Sequence, residues 1–180
     1  YLSQHNLSLG FLAWISLVPF LFVIHRLNSY LKTIKYFFIW GMIFHLTSLF
    51  WLSANIGTDR VSAVISMLAT ILYLSSNTIL IGLIWYRLKS FFHKYSIILL
   101  AIAWTCIEFI KSYGLLAFPW ISIANTQIDY FYLIQIAEYV GIYGVTFWVV
   151  TINGLLFLII KNNFLYHYFV YYIIIFISPF

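Results

Sequence analysis

The segment that decides the fold runs from Val61 to Tyr86 and reads VSAVISMLATILYLSSNTILIGLIWY. It contains no charged residue, and it is longer than the roughly 20 apolar residues that a helix needs to cross a bilayer. Inside hydrocarbon, only helices and closed barrels pair every backbone N–H and C=O group. Barrel strands would give short alternating segments of about ten residues. The unbroken apolar run therefore predicts a membrane-spanning α-helix.

The composition of the whole chain supports this prediction. Of its 180 residues, 64% are hydrophobic and only 7% are charged, whereas soluble domains are about half apolar and a quarter charged. A water-soluble fold of this size could not bury so much apolar surface. The formal net charge of +5 comes from basic residues between apolar runs, which is the pattern of membrane topology. We therefore expect the lipid bilayer as a partner, and no nucleic acid.

Six apolar segments, separated by polar or turn-forming residues, are candidates for spanning helices. They are Leu7–Ile24, Tyr36–Ala54, Val61–Tyr86, Tyr95–Tyr113, Phe131–Ile160 and Phe164–Ile177. The fifth is too long for one span, so we expect its first part, through Glu138, to lie in the interface and the span to begin near Gly141. The predicted fold is an all-α, polytopic transmembrane helix bundle of about six spanning helices, with an outward-facing re-entrant or interfacial loop. Residues 1–180 are expected to form a single transmembrane domain.

The basic residues predict which ends of the segments face the cytoplasm. Most of them lie in alternate connections: Arg26, Lys32, Lys35, Arg87, Lys89, Lys94 and Lys161. Lys and Arg are retained on the cytoplasmic side of a membrane. Residues 55–60 and the loop 114–130 are therefore expected on the outer side. The last segment then runs outward, so the C-terminal end is expected on that side as well.

The fourth segment contains a carboxylate, Glu108, within the stretch WTCIEFIKSY of residues 104–113. A charged group in a spanning helix is costly unless it is paired or hydrated. Lys111 is three residues further along, on the same helical face, so the two side chains could share one hydrated pocket. Two interpretations are open at this point: an ion pair that anchors the helix end, or a functional site.

The loop that follows combines aromatic and polar residues. Phe118, Pro119 and Trp120 suit the headgroup level, where aromatic rings bury one face and keep a polar edge wet. The polar stretch Asn125–Gln127 follows. The loop is either part of an aromatic belt or a mouth through which a lipid reaches a site. The sequence GIYG of residues 141–144, which contains Tyr143, permits close helix packing or a ligand contact.

No metal site or cofactor is expected. The histidines His5, His25, His45, His93 and His167 have no ligand spacing between them, and no cysteine accompanies them. Cys106 lies within an apolar run, where a small packing residue is the expected role. His45, at membrane depth, and the polar patch Ser75–Thr78 are better explained as interior polar groups of the bundle.

Together, these stretches resemble the membrane domain of apolipoprotein N-acyltransferases. The family's pattern W-x3-E-[FW]-[LI]-[RK], followed by F-P-W and a nearby Gln, is matched here by Trp104, Glu108, Phe109, Lys111, Phe118, Pro119, Trp120 and Gln127. Its G-[IV]-Y-G-[VL]-[TS]-F stretch and later Asn are similar to residues 141–147 and Asn153, and Ala13–Pro19 resembles its second spanning helix. Asn125 stands where the family has a tyrosine, and Lys111 stands where arginine is commoner.

The resemblance implies an enzyme of the bacterial inner membrane that transfers an acyl chain from a phospholipid to the N-terminal diacylglyceryl-cysteine of lipoproteins. It also implies an outer nitrilase-like domain with a Glu-Lys-Cys triad, expected after residue 180. No catalytic residue is expected in this chain, and Cys106 does not match the nucleophile's position. These 180 residues should anchor the catalytic domain, shape the floor of its lipid-access path and be inactive alone. Candidate residues of that floor are Glu108, Lys111, Phe118, Pro119, Trp120, Gln127 and Tyr143.

Two alternatives remain open from the sequence. The first is a small multipass transporter or channel subunit, which would need His45 and the patch Ser75–Thr78 to line one cavity that forms a polar path. The second is a non-catalytic membrane scaffold, from a decayed gene or from a membrane domain joined to a different enzyme.

Overall fold

The described chain, seen in a computed structural model, is helical and comprises residues 9–92, 95–162 and 166–177. The helices are α1 (Ala13–Ser16), α2 (Val18–His25), α3 (Tyr30–Leu49), α4 (Arg60–Phe91), α5 (Ser96–Ile110), α6 (Phe131–Ile134), α7 (Ala137–Lys161) and α8 (Tyr166–Ile177). Those ranges contain no β-strand, and the predicted all-α fold is therefore confirmed. The predicted starts of the first segment at Leu7 and of the sixth segment at Phe164 lie outside the described residues, and so do His5, His93 and Lys94.

Within the described ranges, three helical stretches are long and apolar enough to cross a membrane: Tyr30–Ala54, Arg60–Phe91 and Ala137–Lys161. Gly10–His25 and Ser96–Ile110 are shorter apolar helices. Each of the six predicted segments thus contains a helix, and two of these helices, Gly10–His25 and Ser96–Ile110, are shorter than a full span. The bundle combines full-length spans with shorter apolar helices.

The basic residues lie further inside the helices than the sequence predicted. Lys32 and Lys35 belong to the first turns of α3, and Arg87 and Lys89 to the last turns of α4. The apolar pattern alone could not locate these ends, because long basic side chains extend from a helix end to the headgroups while their stems stay on apolar surface.

The opposite end of α4 begins at an N-cap. Oδ2 of Asp59 accepts a hydrogen bond from the backbone N–H of Ser62 at 2.9 Å, which satisfies one of the donors that every helix start leaves unpaired. Hydrogen bonds from the Ser62 side chain and backbone lower the pKa of the exposed Asp59 carboxyl.

Asn153 joins α7 to the break between α1 and α2. Its Oδ1 accepts a hydrogen bond from the backbone N–H of Leu17 at 2.9 Å, and its Nδ2 donates to the carbonyl of Ala13 at 2.7 Å. The break precedes Pro19, which has no N–H to continue the helical pattern. The buried amide thus pairs backbone groups that the break leaves without helical partners.

The helices α3 and α4 pack against each other through a small residue. A Cβ at Gly41 would collide with the hydroxyl of Thr78, so only glycine fits this crossing. The Thr78 hydroxyl lies 3.0 Å from the carbonyl of Phe37 in α3 and 2.7 Å from that of Ser75 in its own helix. Inside a bilayer no hydrophobic effect drives helices together, so close packing at small residues and interhelical hydrogen bonds hold them in place.

The long fifth segment divides as the sequence predicted. Its first residues form the short α6, and α7 contains a break at Gly141, where φ is +69° and ψ is 174°. The suggested role of residues 141–144 in close helix packing is not seen: nothing lies within 4 Å of a Cβ placed on Gly141, and the atoms nearest to one on Gly144 belong to Val140 of the same helix. Gly141 is instead the residue at which the chain turns into the span.

Candidate functional site

The loop after α5 leaves the bundle and then returns into it. Its outer turn is closed by a hydrogen bond from the N–H of Phe118 to the carbonyl of Lys111 at 2.9 Å, and Gly114 in that turn has a φ of +87°. The following 3-10 turn, Ile123–Gln127, is largely buried, as are Ile121 and Ser122. The expected re-entrant loop is therefore present, and its inner part lies against α5 and α7.

Glu108 is the residue that holds the returning chain. Only 4% of its surface is exposed. Oε1 accepts hydrogen bonds from the Trp104 indole N–H at 3.2 Å and from the backbone N–H of Ile123 at 3.1 Å. Oε2 accepts hydrogen bonds from the hydroxyls of Ser122 at 2.6 Å and Thr146 at 2.7 Å. A carboxylate accepts hydrogen bonds at both oxygens, so this one group joins α5, the loop and α7.

Lys111 contacts the same loop by a different route. Its Nζ donates to the carbonyl of Ile121 at 2.8 Å. Lys111 is therefore not among the donors to Glu108, which belong to Trp104, to the loop and to α7. The pair predicted from the sequence does line one cavity, but each member bonds to the chain between Ile121 and Ile123. The two charged side chains act as neighbouring anchors of the loop.

Gln127 fixes the other end of the buried turn. It is fully buried, and its Oε1 accepts a hydrogen bond from the Trp14 indole N–H at 3.0 Å. Its Nε2 donates to the carbonyl of Gly10 at 3.1 Å and to the hydroxyl of Thr126 at 2.7 Å. The loop is thereby attached to the first helical segment as well as to α5 and α7.

The aromatic part of the loop faces outward. Phe118 is half-buried, Pro119 is exposed and Trp120 has 65% of its surface exposed, with the Phe118 and Trp120 rings 5.3 Å apart. Leu115 and Leu116 are also exposed. This apolar surface, residues 115–120, is held beside a rigid base and suits contact with lipid.

Tyr143 lies close to the start of this loop. Its hydroxyl donates to the Ser112 hydroxyl at 2.7 Å, and its ring packs edge-on against Phe109 at 5.2 Å. The sequence-predicted candidates thus gather around one loop: Glu108, Lys111 and Gln127 hold it, Tyr143 supports its start, and residues 118–120 form its exposed surface.

Three polar partners of this site were not predicted: Ser122, Thr146 and Trp14. Thr146 occupies the [TS] position of the stretch that ends at Phe147, and Trp14 lies in the stretch Ala13–Pro19. The family-like pattern contained both residues, but spacing could not indicate their partners. Thr146 bonds to Glu108, more than 30 positions away, and Trp14 bonds to Gln127, more than 100 positions away. No sequence signal distinguished Ser122 from other loop serines.

A cavity of about 20 Å³ lies between α3, α4 and α5 beneath the loop, and His45, Asn77, Thr78, Glu108 and Lys111 are among its lining residues. His45 is 3% exposed, and its Nδ1 and the Nδ2 of Asn77 have no hydrogen-bond partner. This volume has room for about one water molecule. A water there could satisfy these groups, but the space is too small for a transport path.

Metal ligands do not converge anywhere in the described ranges, which contain no group of three or more His, Cys, Asp or Glu that could hold an ion. Cys106 is exposed on the surface of α5 rather than packed in the interior. Its outward position follows from the helical period, since Trp104, Ile107 and Glu108 occupy the buried face.

The chain matches a family model described as the apolipoprotein N-acyltransferase N-terminal domain over residues 1–155. It is 27% identical over 140 residues to apolipoprotein N-acyltransferase 1 of Treponema denticola, covering 76% of this chain and 24% of that protein. It is 26% identical over 146 residues to apolipoprotein N-acyltransferase of Pasteurella multocida, covering 81% of this chain and 28% of the relative. A shorter match, 40% identical over 54 residues, is to apolipoprotein N-acyltransferase 2 of Treponema pallidum, covering 30% of this chain and 10% of the relative.

The chain therefore spans about a quarter of the length of the first two of these relatives. No solved structure matches it significantly. Its apolar helices and these relatives indicate a bacterial membrane protein. Because the family model covers 155 of the 180 positions, the chain belongs to the apolipoprotein N-acyltransferase N-terminal domain family.

Proposed function

We propose that this chain is the membrane domain of an enzyme that transfers an acyl chain from a phospholipid to the N-terminal diacylglyceryl-cysteine of lipoproteins. The acyl donor and the lipoprotein acceptor are its proposed partners, and residues 1–180 form one transmembrane domain. The catalytic groups belong to a domain expected after residue 180, so these residues alone are inactive. The relatives' names and the family match support the acyltransferase assignment.

The domain's proposed task is to hold the catalytic domain at the membrane and to form the floor of its lipid-access path. The observation that carries this proposal is the loop held by Glu108. The buried network fixes Ser122 and Ile123, and the same loop presents Leu115, Leu116 and Trp120 as an exposed apolar surface. A rigid base beneath exposed apolar side chains can position a lipid tail without taking part in the chemistry.

The proposed location is the bacterial inner membrane, with the loop 114–130 and the C-terminal end on the outer side. The positive-inside rule supports this orientation, because α2, α4 and α7 all end close to basic residues. The carboxylates Asp59 and Glu138 begin α4 and α7 at the opposite end.

A transporter or channel subunit is the weaker alternative. It requires His45 and the patch Ser75–Thr78 to line one polar path, and His45, Asn77 and Thr78 do line one cavity. That cavity of about 20 Å³ holds about one water, so it supports an internal hydration site better than a conduction path. The gene sequence beyond the codon for Phe180 would distinguish a non-catalytic scaffold from an enzyme, because only the enzyme needs a catalytic domain encoded there.

The proposal is tested with the complete product of the gene, purified in detergent. The substrates are a phospholipid and a synthetic diacylglyceryl-cysteine peptide, and the readout is the mass increase of one acyl chain on the peptide. We expect acyl transfer by the complete protein and none by residues 1–180 alone. Absence of transfer by the complete protein, or transfer by the 180-residue chain, would contradict the proposal.

The floor is tested with Trp120→Ala and the control variant Phe91→Ala. Both aromatic rings are exposed, each at 65%, and Phe91 is the last residue of α4, at the end of the bundle opposite the loop. Trp120→Ala should raise the KM for the phospholipid severalfold, while Phe91→Ala leaves it within about twofold. Equal effects of the two substitutions would show that the loop has no special role in lipid access.

A further inference from the structure

The end of the bundle opposite Glu108 concentrates the chain's positive charge. There α2 ends at His25, α3 begins at Tyr30, α4 ends at Phe91 and α7 ends at Lys161. The described cations at this end are Arg26, Lys32, Lys35, Arg87, Lys89 and Lys161.

No acidic residue of the chain lies near this end. The sequence contains four acidic residues, Asp59, Glu108, Asp129 and Glu138. Asp59 caps the start of α4 and Glu138 lies in the first turn of α7. α4 has 32 residues, so its far end is roughly 48 Å away at about 1.5 Å per residue, and the part of α7 after the break at Gly141 is roughly 30 Å long. Glu108 and Asp129 belong to the end of α5 and to the loop after it. The chain therefore supplies no counter-charge to its basic end.

Three of these cations line a single groove. Its volume is about 450 Å³, and Arg26, Lys32 and Lys35 line it together with Asn28, Ser29 and Tyr36. All three cationic side chains are exposed. A second opening of about 220 Å³, lined by Tyr86, Lys89 and Ser90, shares Leu27 and Asn28 with the groove. The groove volume falls within the range of small-molecule sites, and hydroxyl and amide donors stand beside its charges.

A buried lysine fixes the backbone that forms the groove. Lys89 is 8% exposed, and its Nζ donates to the carbonyls of His25 at 3.1 Å and Leu27 at 3.3 Å. The same ammonium lies 4.9 Å from the centre of the Trp85 ring. The loop that carries Arg26 and Asn28 is thereby attached to α4, so the backbone on which the groove is built is held in place by a buried contact.

We propose that this groove binds the phosphate of an anionic phospholipid headgroup. Basic pockets beside spanning helices recognise such headgroups, and charge-assisted hydrogen bonds from Arg and Lys are the strong contacts to phosphate oxygens. Ser29, Asn28 and Tyr36 can bond to the ester and glycerol oxygens. The missing carboxylates give selectivity: a zwitterionic headgroup would bring its own ammonium among the three cations of the groove, where no carboxylate could pair with it.

This site is independent of the proposed acyl transfer. It lies at the opposite end of α4 and α7 from the loop held by Glu108, so a lipid bound here is not the acyl donor. Lipid binding to the groove can therefore be tested whether or not the complete protein transfers acyl chains.

The test is native mass spectrometry of the complete protein in detergent, titrated with phosphatidylglycerol or phosphatidylcholine. We expect retained phosphatidylglycerol adducts and at least tenfold weaker binding of phosphatidylcholine. Each lost cation should weaken binding about fivefold, so Lys32→Gln/Lys35→Gln should weaken it about 25-fold. The single variants are measured as well, with thermal unfolding of each to confirm that it is folded.

Arg87→Gln is the matched control. Arg87 is an exposed cation at the same end, but it lies over the Phe91 ring at 5.2 Å and does not line the groove. Its substitution should change phosphatidylglycerol binding by less than about twofold. Equal losses for Arg87 and the groove lysines, or equal binding of both lipids, would overturn the proposal.

Inorganic phosphate distinguishes a lipid headgroup from a soluble anion. At millimolar concentration it should displace little phosphatidylglycerol, since the lipid also gains from its apolar chains. If phosphate alone bound the protein, displaced the lipid and lost affinity in Lys32→Gln/Lys35→Gln, the groove would be a site for a free anion and the assignment to lipid would be wrong.

Discussion

The hydroxyl of Thr146 in α7 lies 2.7 Å from Oε2 of Glu108 in α5. Both residues are buried, so the hydrogen bond is shielded from water. The same carboxylate accepts hydrogen bonds from Ser122 and Ile123 of the returning loop. The contact between α5 and α7 and the position of the loop therefore depend on one acceptor group.

Thr146→Val should destabilise the protein by about 1–2 kcal/mol. Hydrogen bonds to charged groups contribute about 1.5–3 kcal/mol in soluble proteins, whereas interhelical bonds in a membrane average about 0.6 kcal/mol, and Glu108 keeps other donors. The free energy of unfolding, measured by denaturing-detergent titration, gives the change directly.

Thr151→Val is the matched control on the same helix. Thr151 is 4% exposed, and its hydroxyl has no hydrogen-bond partner. Replacing an unpaired buried hydroxyl by a methyl group should leave stability within about 0.5 kcal/mol or raise it. Equal losses in the two valine variants would mean that the bond to Glu108 contributes nothing beyond packing.

Glu108→Ala should release the loop. It removes the acceptor for Trp104, Ser122, Thr146 and the N–H of Ile123, and each buried donor left unpaired costs about 1–3 kcal/mol before relaxation. Limited proteolysis should cut the exposed turn of residues 113–117 faster, and the melting temperature should fall. Glu108→Gln should have an intermediate effect on the proteolysis rate and the melting temperature. Its amide oxygen still accepts hydrogen bonds, but its NH₂ group cannot accept from the donors that it faces.

Glu138→Ala is the control for loss of a carboxylate alone. Glu138 is exposed in the first turn of α7, where surface substitutions usually change stability by less than about 0.5 kcal/mol. If Glu108→Ala left proteolysis of the turn unchanged, the loop would be held by Lys111 and Gln127 without the carboxylate.

The sequence was most informative where hydrophobicity decides the structure. The long apolar runs predicted the all-α bundle, and the excess length of the fifth run predicted that it divides near Gly141. Helix ends were less accurate, since Lys32 and Lys89 continue helices beyond the apolar core. The partners of Glu108 were not predictable, because hydrogen bonds between distant positions such as Thr146 depend on packing rather than on period or spacing.

Asn153→Leu should cost about 2–4 kcal/mol. The substitution keeps a similar volume but leaves the N–H of Leu17 and the carbonyl of Ala13 without the partner they have at the break before Pro19. Asn77→Leu is the comparison, because the Nδ2 of Asn77 is already unpaired, and it should cost less than about 1 kcal/mol. Unfolding titrations of both variants measure the difference, and equal costs would show that Asn153 does not stabilise the break.

Gly141→Ala should destabilise the protein by about 1–3 kcal/mol through the backbone alone. A φ of +69° with a ψ of 174° belongs to a region that only glycine occupies readily, and no atom lies within 4 Å of the added Cβ. Gly57→Ala is the control: Gly57 is exposed, its φ is not in the left-handed region, and the one atom within 4 Å of an added Cβ is Oδ1 of Asn55 at 3.2 Å. Surface substitutions of this kind usually change stability by less than about 0.5 kcal/mol. The free energies of unfolding of the two variants measure the difference; a neutral Gly141→Ala would mean that α7 continues through residue 141 as a regular helix.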